Sequence, residues 1–231
     1  MYGNKLLAFI LAIALSQFSF GQMLNNSPYT RYGLGEIMGA STAPFSGFGG
    51  LSTPIADFKF VNVSNPATYS SLARYNPIFD VAVYGKSSNL KTGSESVKNS
   101  TFVLRNFTLA LPIAKKWGAA FGLMPYSTTG YNITDYQVLD GDSIANNYTG
   151  DGSINRAFIG AGCNIINQGD TLKLSVGVNA SFLFGTLERE RNVVFSNSTF
   201  YNTKVQEKNA LRGVAFDGGL HFYQKMSTDL S

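Results

Sequence analysis

Few side chains in this sequence could carry the chemistry of an active site, and their spacing argues against most of it. His221 is the only histidine, with Asp217 four positions before it. In an extended chain both fall on one face, where hydrogen bonding inside a fold is a sufficient role for each. Asp140, Asp142 and Asp151 lack the ligand spacing of a calcium loop. Cys163 is the only cysteine and cannot form an internal disulfide. No catalytic group, metal site or cofactor is expected. Two proline-centred breaks remain. "FVNVSNPATYSSL" (60–72) is an apolar run interrupted by Asn65, Pro66 and Ala67, and "GLMPYSTTGYNI" holds Pro125 and Gly130 inside an extended pattern. Proline cannot donate to a strand ladder and glycine weakens one, so Pro125 and Gly130 predict a bend.

The elements that must position these breaks are strands. With 24 glycines, 13% aromatic residues and 14% charged residues in 231, the composition suits an all-β chain with many tight turns. The net charge of +4 is dispersed, and no basic cluster exceeds Lys115-Lys116, which argues against a nucleic-acid partner. Residues 1–21 read as a secretory signal peptide: Lys5 precedes the apolar run Leu6 to Leu15, and small residues at Ser19 and Gly21 predict cleavage before Gln22. That run is shorter than the roughly 20 residues of a spanning helix.

Beyond residue 78 the chain alternates with period two. Leu172, Leu174, Val176, Val178, Ala180 and Phe182 share one face, while Lys173, Ser175, Gly177, Asn179 and Ser181 share the other. The same alternation marks strands near 79–88, 102–113, 117–131, 153–166, 171–187 and 208–224. These exceed the usual five or six residues of soluble strands and suit tilted spans of about 9 to 11 residues with overhang. Long polar connections (87–100, 133–152, 188–207) alternate with the short "AKKW" and "NQGD". That is the order of a transmembrane antiparallel β-barrel of the bacterial outer membrane, with Trp117 as an anchor at the inner rim. Six strands cannot close such a barrel, whose smallest forms have about eight, so residues 79–231 are expected to be the N-terminal part of a larger wall.

Residues 22–78 do not alternate and hold only five charged residues, Arg31, Glu36, Asp57, Lys59 and Arg74. So apolar a segment packs against something, and the interior of the wall is the nearest cover. It is expected to form an N-terminal hatch or plug, with the glycines from Gly33 to Gly50 permitting close turns.

The run "GFGGLSTPIADFKFVNVSNPATYSSL", with its Asn65-Pro66-Ala67, resembles the hatch of the FadL-type outer-membrane transporters of hydrophobic compounds. The opening "NSPYTRYGLGE" is similar to the mature start of relatives in Bacteroidetes. The resemblance implies a plugged barrel of about fourteen strands, of which about six are visible here. It further implies long-chain fatty acids or similar hydrophobic small molecules as ligands, outer-membrane lipid as surroundings, and a kink in the third strand as a lateral exit. Asn65, Pro66 and Ala67 would form the hatch motif, and Pro125 with Gly130 the lateral opening. Binding would rest on burial of methylenes, about 0.8 kcal/mol each.

Two other readings fit the same pattern. Some FadL-like proteins of Bacteroidetes serve the type 9 secretion system, so secretion-system proteins are alternative partners, docking on the long loops at 133–152 and 188–207. Some outer-membrane barrels are lipid hydrolases, but His221 on the polar face is badly placed for one. The chain is expected not to be an enzyme.

Overall fold

The structure, a computed structural model, describes residues 27–225 apart from 94, 140–141, 170 and 197–199. The signal peptide expected at 1–21 and Asp140 lie outside the described residues. Seven strands form one antiparallel sheet: β1 (Glu36–Ile37), β2 (Ile78–Thr92), β3 (Glu95–Pro112), β4 (Trp117–Leu139), β5 (Asp142–Asn167), β6 (Leu172–Phe195) and β7 (Thr203–Gln224). Strands β2 to β7 pair in chain order, and β1 pairs with β4 off that path. Among the described residues the sheet is not closed, since β2 and β7 each have one neighbour. The all-β antiparallel class is therefore present, and a complete barrel is not.

Alternation positions the two faces. Ladder partners Phe79, Leu109, Phe121, Ile159, Ala180 and Phe216 form one row across six strands. The side chains of Phe79, Ile159 and Phe216 are 62%, 64% and 79% exposed. One residue along, the row Ala110, Ala120, Gly160, Asn179 and Asp217 lies on the other face. There Asn106, Thr108, Ser175, Asn179 and Ser181 are almost completely buried. The sheet thus buries its polar face and exposes its apolar one, the reverse of a water-soluble sheet.

What covers the polar face is residues 27–77. They carry little regular structure beyond β1 and three 3-10 helices, Pro28–Arg31, Ala43–Phe48 and Pro66–Ser71. The last touches β3, β4, β5, β6 and β7. Five strands cover about 19 Å if laid flat, so the sheet must curl around this one short helix. Val61, Val63, Tyr69 and Leu72 of the covering segment pack with Ala110, Ala120, Met124 and Phe158 of the wall.

The long polar connections are a correction. Most of 87–100, 133–152 and 188–207 continues the strands: β4 and β5 stay in register out to Leu139↔Asp142, and β6 and β7 out to Val193↔Thr203. Apolar alternation stops beyond the apolar belt, but pairing does not. It is carried by polar cross-strand contacts such as Thr134 to Asn147 and the ion pairs Glu190–Lys204 and Glu188–Lys208. If these segments are paired strands, Cys substitutions at partners Glu190 and Gln206, in a Cys163→Ser background, will form a disulfide on mild oxidation, whereas Glu190 with Tyr201 will not. Equal yields for both pairs would mean a loose loop.

Candidate functional site

Asn65, Pro66 and Ala67 start the 3-10 helix Pro66–Ser71. Proline suits this first position because no N–H is needed there. The Asn65 side chain supplies the missing partners. Its Oδ1 accepts the Ala67 N–H at 3.1 Å, and its Nδ2 donates to the carbonyls of Thr53 at 2.9 Å and of Leu220 on β7 at 3.1 Å. One 3% exposed amide therefore caps a helix, ties two stretches of the covering segment and anchors both to the sheet.

The wall receives this helix on a row of glycines. Gly118 of β4 faces Gly162 of β5, which faces Gly177 of β6, which faces Gly219 of β7. A β-carbon on Gly118 would overlap the Tyr69 carbonyl, and one on Gly162 the Pro66 carbonyl. On Gly177 it would meet the Pro66–Ala67 peptide, and on Gly219 the Asn65 amide. The helix backbone thus rests directly on strand backbone, which no other residue type permits.

Polar wall side chains complete the seat. Tyr69 Oη donates to Asn179 Oδ1 at 3.1 Å, and Asn179 Nδ2 donates to the Val63 carbonyl at 3.3 Å. Burial pushes the Tyr69 phenol up from its ordinary value, although the bond to Asn179 opposes the shift. Asn164 Nδ2 donates to the Ser70 carbonyl at 3.3 Å, and Ser175 Oγ donates to Asn164 Oδ1. Nearby, Arg156 Nη2 pairs with Asp217 Oδ2 at 2.7 Å. His221 lies on the same inner face, opposite Ser175 in the ladder.

Pro125 marks a second feature. The β3–β4 ladder runs from Pro112↔Gly118 to Phe107↔Leu123 and stops two residues before the proline. From there the two strands part. Each carries one extra residue at the fork: Arg105 in β3, where pairing with β2 shifts, and Tyr126 in β4, where pairing with β5 shifts between Pro125 and Ser127. No shift occurs at Gly130, which stays paired with Asp151. Gly130 instead holds the turn at Ser27–Thr30 of the covering segment, its carbonyl accepting the Ser27 N–H at 2.9 Å and its N–H donating to Thr30 Oγ1 at 3.1 Å.

Residues 36–41 thread the fork. Glu36 and Ile37 (β1) pair with Thr128 and Ser127, and the Met38 N–H donates to the Tyr126 carbonyl at 2.9 Å. Towards β3 the contacts come from side chains: Arg105 Nε to the Ser41 carbonyl at 2.8 Å and Lys86 Nζ to Glu36 Oε1 at 3.4 Å.

The two sites differ in how far sequence reaches them. Asn65, Pro66, Ala67 and Pro125 stand out by type. The glycine row and β1 do not, because four glycines scattered over a hundred residues become a row only once the register is known. The seat predicts a sharp contrast. Gly177→Ala will lower stability by about 1–3 kcal/mol and expose 58–75 to protease. Gly213→Ala, with nothing within 4 Å of its new methyl, will change stability by less than about 0.5 kcal/mol. Denaturant titration of the refolded protein, read from the single Trp117, measures both.

The seat also explains the Asn-Pro-Ala motif without a transporter. Asparagine before proline is a general way to cap a short helix, and these three residues are set by the glycine row beneath them. Comparison with known families overturns the FadL-type resemblance: the family model that matches is BamG, over residues 3–231. With the resemblance go the expected transport of hydrophobic compounds, the fatty-acid and outer-membrane lipid partners, and lateral release at Pro125. The type 9 secretion and lipid-hydrolase readings gain no support from the match. No curated protein and no solved structure matches the chain significantly. The match spans almost the whole sequence, and the chain belongs to the BamG family, which is associated with the bacterial outer membrane or its assembly machinery.

Proposed function

We propose that this chain is a non-enzymatic subunit of the outer-membrane protein assembly (BAM) machinery, seated in the outer membrane as a plugged wall of β-strands. Family membership over residues 3–231 is the observation that carries this reading. In it, residues 1–21 are the export signal, 22–78 the plug and 79–231 part of a barrel wall.

The inverted faces support the membrane seat. Phe79, Phe102, Ile159, Val178, Val214 and Phe216 are each more than 60% exposed. Holding such side chains in water costs about 1.5–3 kcal/mol apiece. In water the six forgo that gain, and a contiguous exposed apolar face of this kind marks a surface made for an apolar surrounding. Trp117, 51% exposed at the start of β4 beside Lys115 and Lys116, then lies where an aromatic anchor at the membrane interface belongs.

The filled interior supports a scaffold in place of a conduit. Where β4 to β7 carry the glycine row, plug backbone touches wall backbone, and Asn65, Asn164 and Asn179 join the two. Opening a path there would leave several buried carbonyls without partners, each a loss of about 1–3 kcal/mol.

An affinity-tagged copy expressed from its native locus tests the proposal. It will co-isolate with the central barrel subunit of the assembly machinery, and depletion will lower the outer-membrane content of other β-barrel proteins while leaving oleate uptake unchanged. Failure to co-isolate, with normal barrel-protein levels on depletion, would contradict the assignment.

A further inference from the structure

Resting on that reading, we propose that the fork between β3 and β4 is a slot for one strand of a client outer-membrane barrel polypeptide, closed in this structure by residues 36–41. Beyond Phe107, β3 pairs only with β2 among the described residues, which leaves the other edge of Glu95–Asn106 open. An open edge of this length is a template for another strand. Its inner part, Phe102–Asn106, lies at the level of the apolar belt, and Glu95–Thr101 carries the edge on beyond it.

The fork is built into the chain. Pro125 cannot donate to a ladder, and the bulges at Arg105 and Tyr126 turn the two strands apart at the same level. β1 already shows that the slot admits extended chain, but it fills only the β4 side and only over two residues. Between it and β3 remains a cleft of about 170 Å³, lined by Tyr84, Lys86, Thr101, Val103 and Arg105 from the wall. That space fits side chains and not a strand, so entry requires residues 36–41 to move. Residues 36–41 are held there by two backbone pairs, the hydrogen bonds of Met38 to Tyr126 and of Arg105 to Ser41, and the Lys86–Glu36 contact, whose side chains are 43% and 48% exposed, so that this ion pair adds little.

The edge also defines its occupant. Phe102 and Leu104 point to the apolar exterior, 62% and 47% exposed, while Thr101 is half-buried and Val103 buried on the inner face. A strand added here must alternate apolar outward and polar inward, as strands of outer-membrane barrels do. Lys86 and Arg105 line the inner side, and Glu36 lies against Lys86, so the entering strand carries an inward acidic residue in its place.

Photocrosslinking on the purified full chain in detergent tests the slot. Benzoylphenylalanine replaces Phe102, and the probe is a biotinylated peptide of about twelve residues alternating Val and Thr with one central Glu, compared with the same composition in blocks. The alternating peptide will crosslink roughly tenfold more than the blocked one. A disulfide between Ile37→Cys and Ser127→Cys, ladder partners, in a Cys163→Ser background, will abolish that crosslink until it is reduced. Glu36→Lys, which repels Lys86, will raise crosslinking about threefold and needs no lock to form. Equal crosslinking of both peptides, or a crosslink indifferent to the lock and to Glu36→Lys, overturns the proposal. Because the assay uses no other subunit, a negative result with intact co-isolation refutes the slot alone, and loss of co-isolation refutes the subunit reading.

Discussion

Everything else in this molecule depends on backbone meeting backbone along the glycine row. Gly118, Gly162, Gly177 and Gly219 remove every β-carbon beneath the helix Pro66–Ser71, so that its peptide groups lie against those of four strands. At that separation the polar groups of the plug are within reach of the wall. Asn65 reaches the Leu220 carbonyl, Asn164 reaches the Ser70 carbonyl and Asn179 reaches that of Val63. A single methyl in the row would lift the helix and stretch all three. The plug and the wall are for this reason one cooperative unit, since neither satisfies its buried polar groups alone.

That contact also dictates which face of the sheet looks outward. A plug made of irregular chain presents carbonyls and amides, and the surface that receives it must be polar, as Asn106, Thr108, Ser175, Asn179 and Ser181 make it. The apolar half of the alternation is left on the outside, from Phe79 across to Phe216. At the fork the covering segment meets the wall through two paired residues, the hydrogen bonds of Met38 and Ser41 and a salt bridge in place of a seated helix, and β3 and β4 have parted before Pro125.

Much of the wall is legible in the sequence because alternation is a local property. All six long strands lie where period two places them, and both faces have the expected composition. The strand ends were not legible: beyond the apolar belt, polar residues occupy both faces, so the paired segment 133–139 reads as loop. The seat was half legible. Asn65-Pro66-Ala67 is conspicuous by residue type, but what it rests on depends on registers between four strands, which no local pattern carries. The short motif was also what misdirected the functional reading, because three residues that cap a helix recur wherever that geometry is needed. β1 had no signal at all, since a strand of two residues cannot display a period.

Hydrogen exchange resolved by peptide mass spectrometry tests the central claim most directly. If the plug is seated on the glycine row, amides in 61–72 will exchange as slowly as those in the middle of β5 and β6, because they open only when the wall does. Exchange of 61–72 as fast as the hairpin ends near 134–138 and 203–207 would mean that the plug moves independently of the wall, and the account would be wrong at its base.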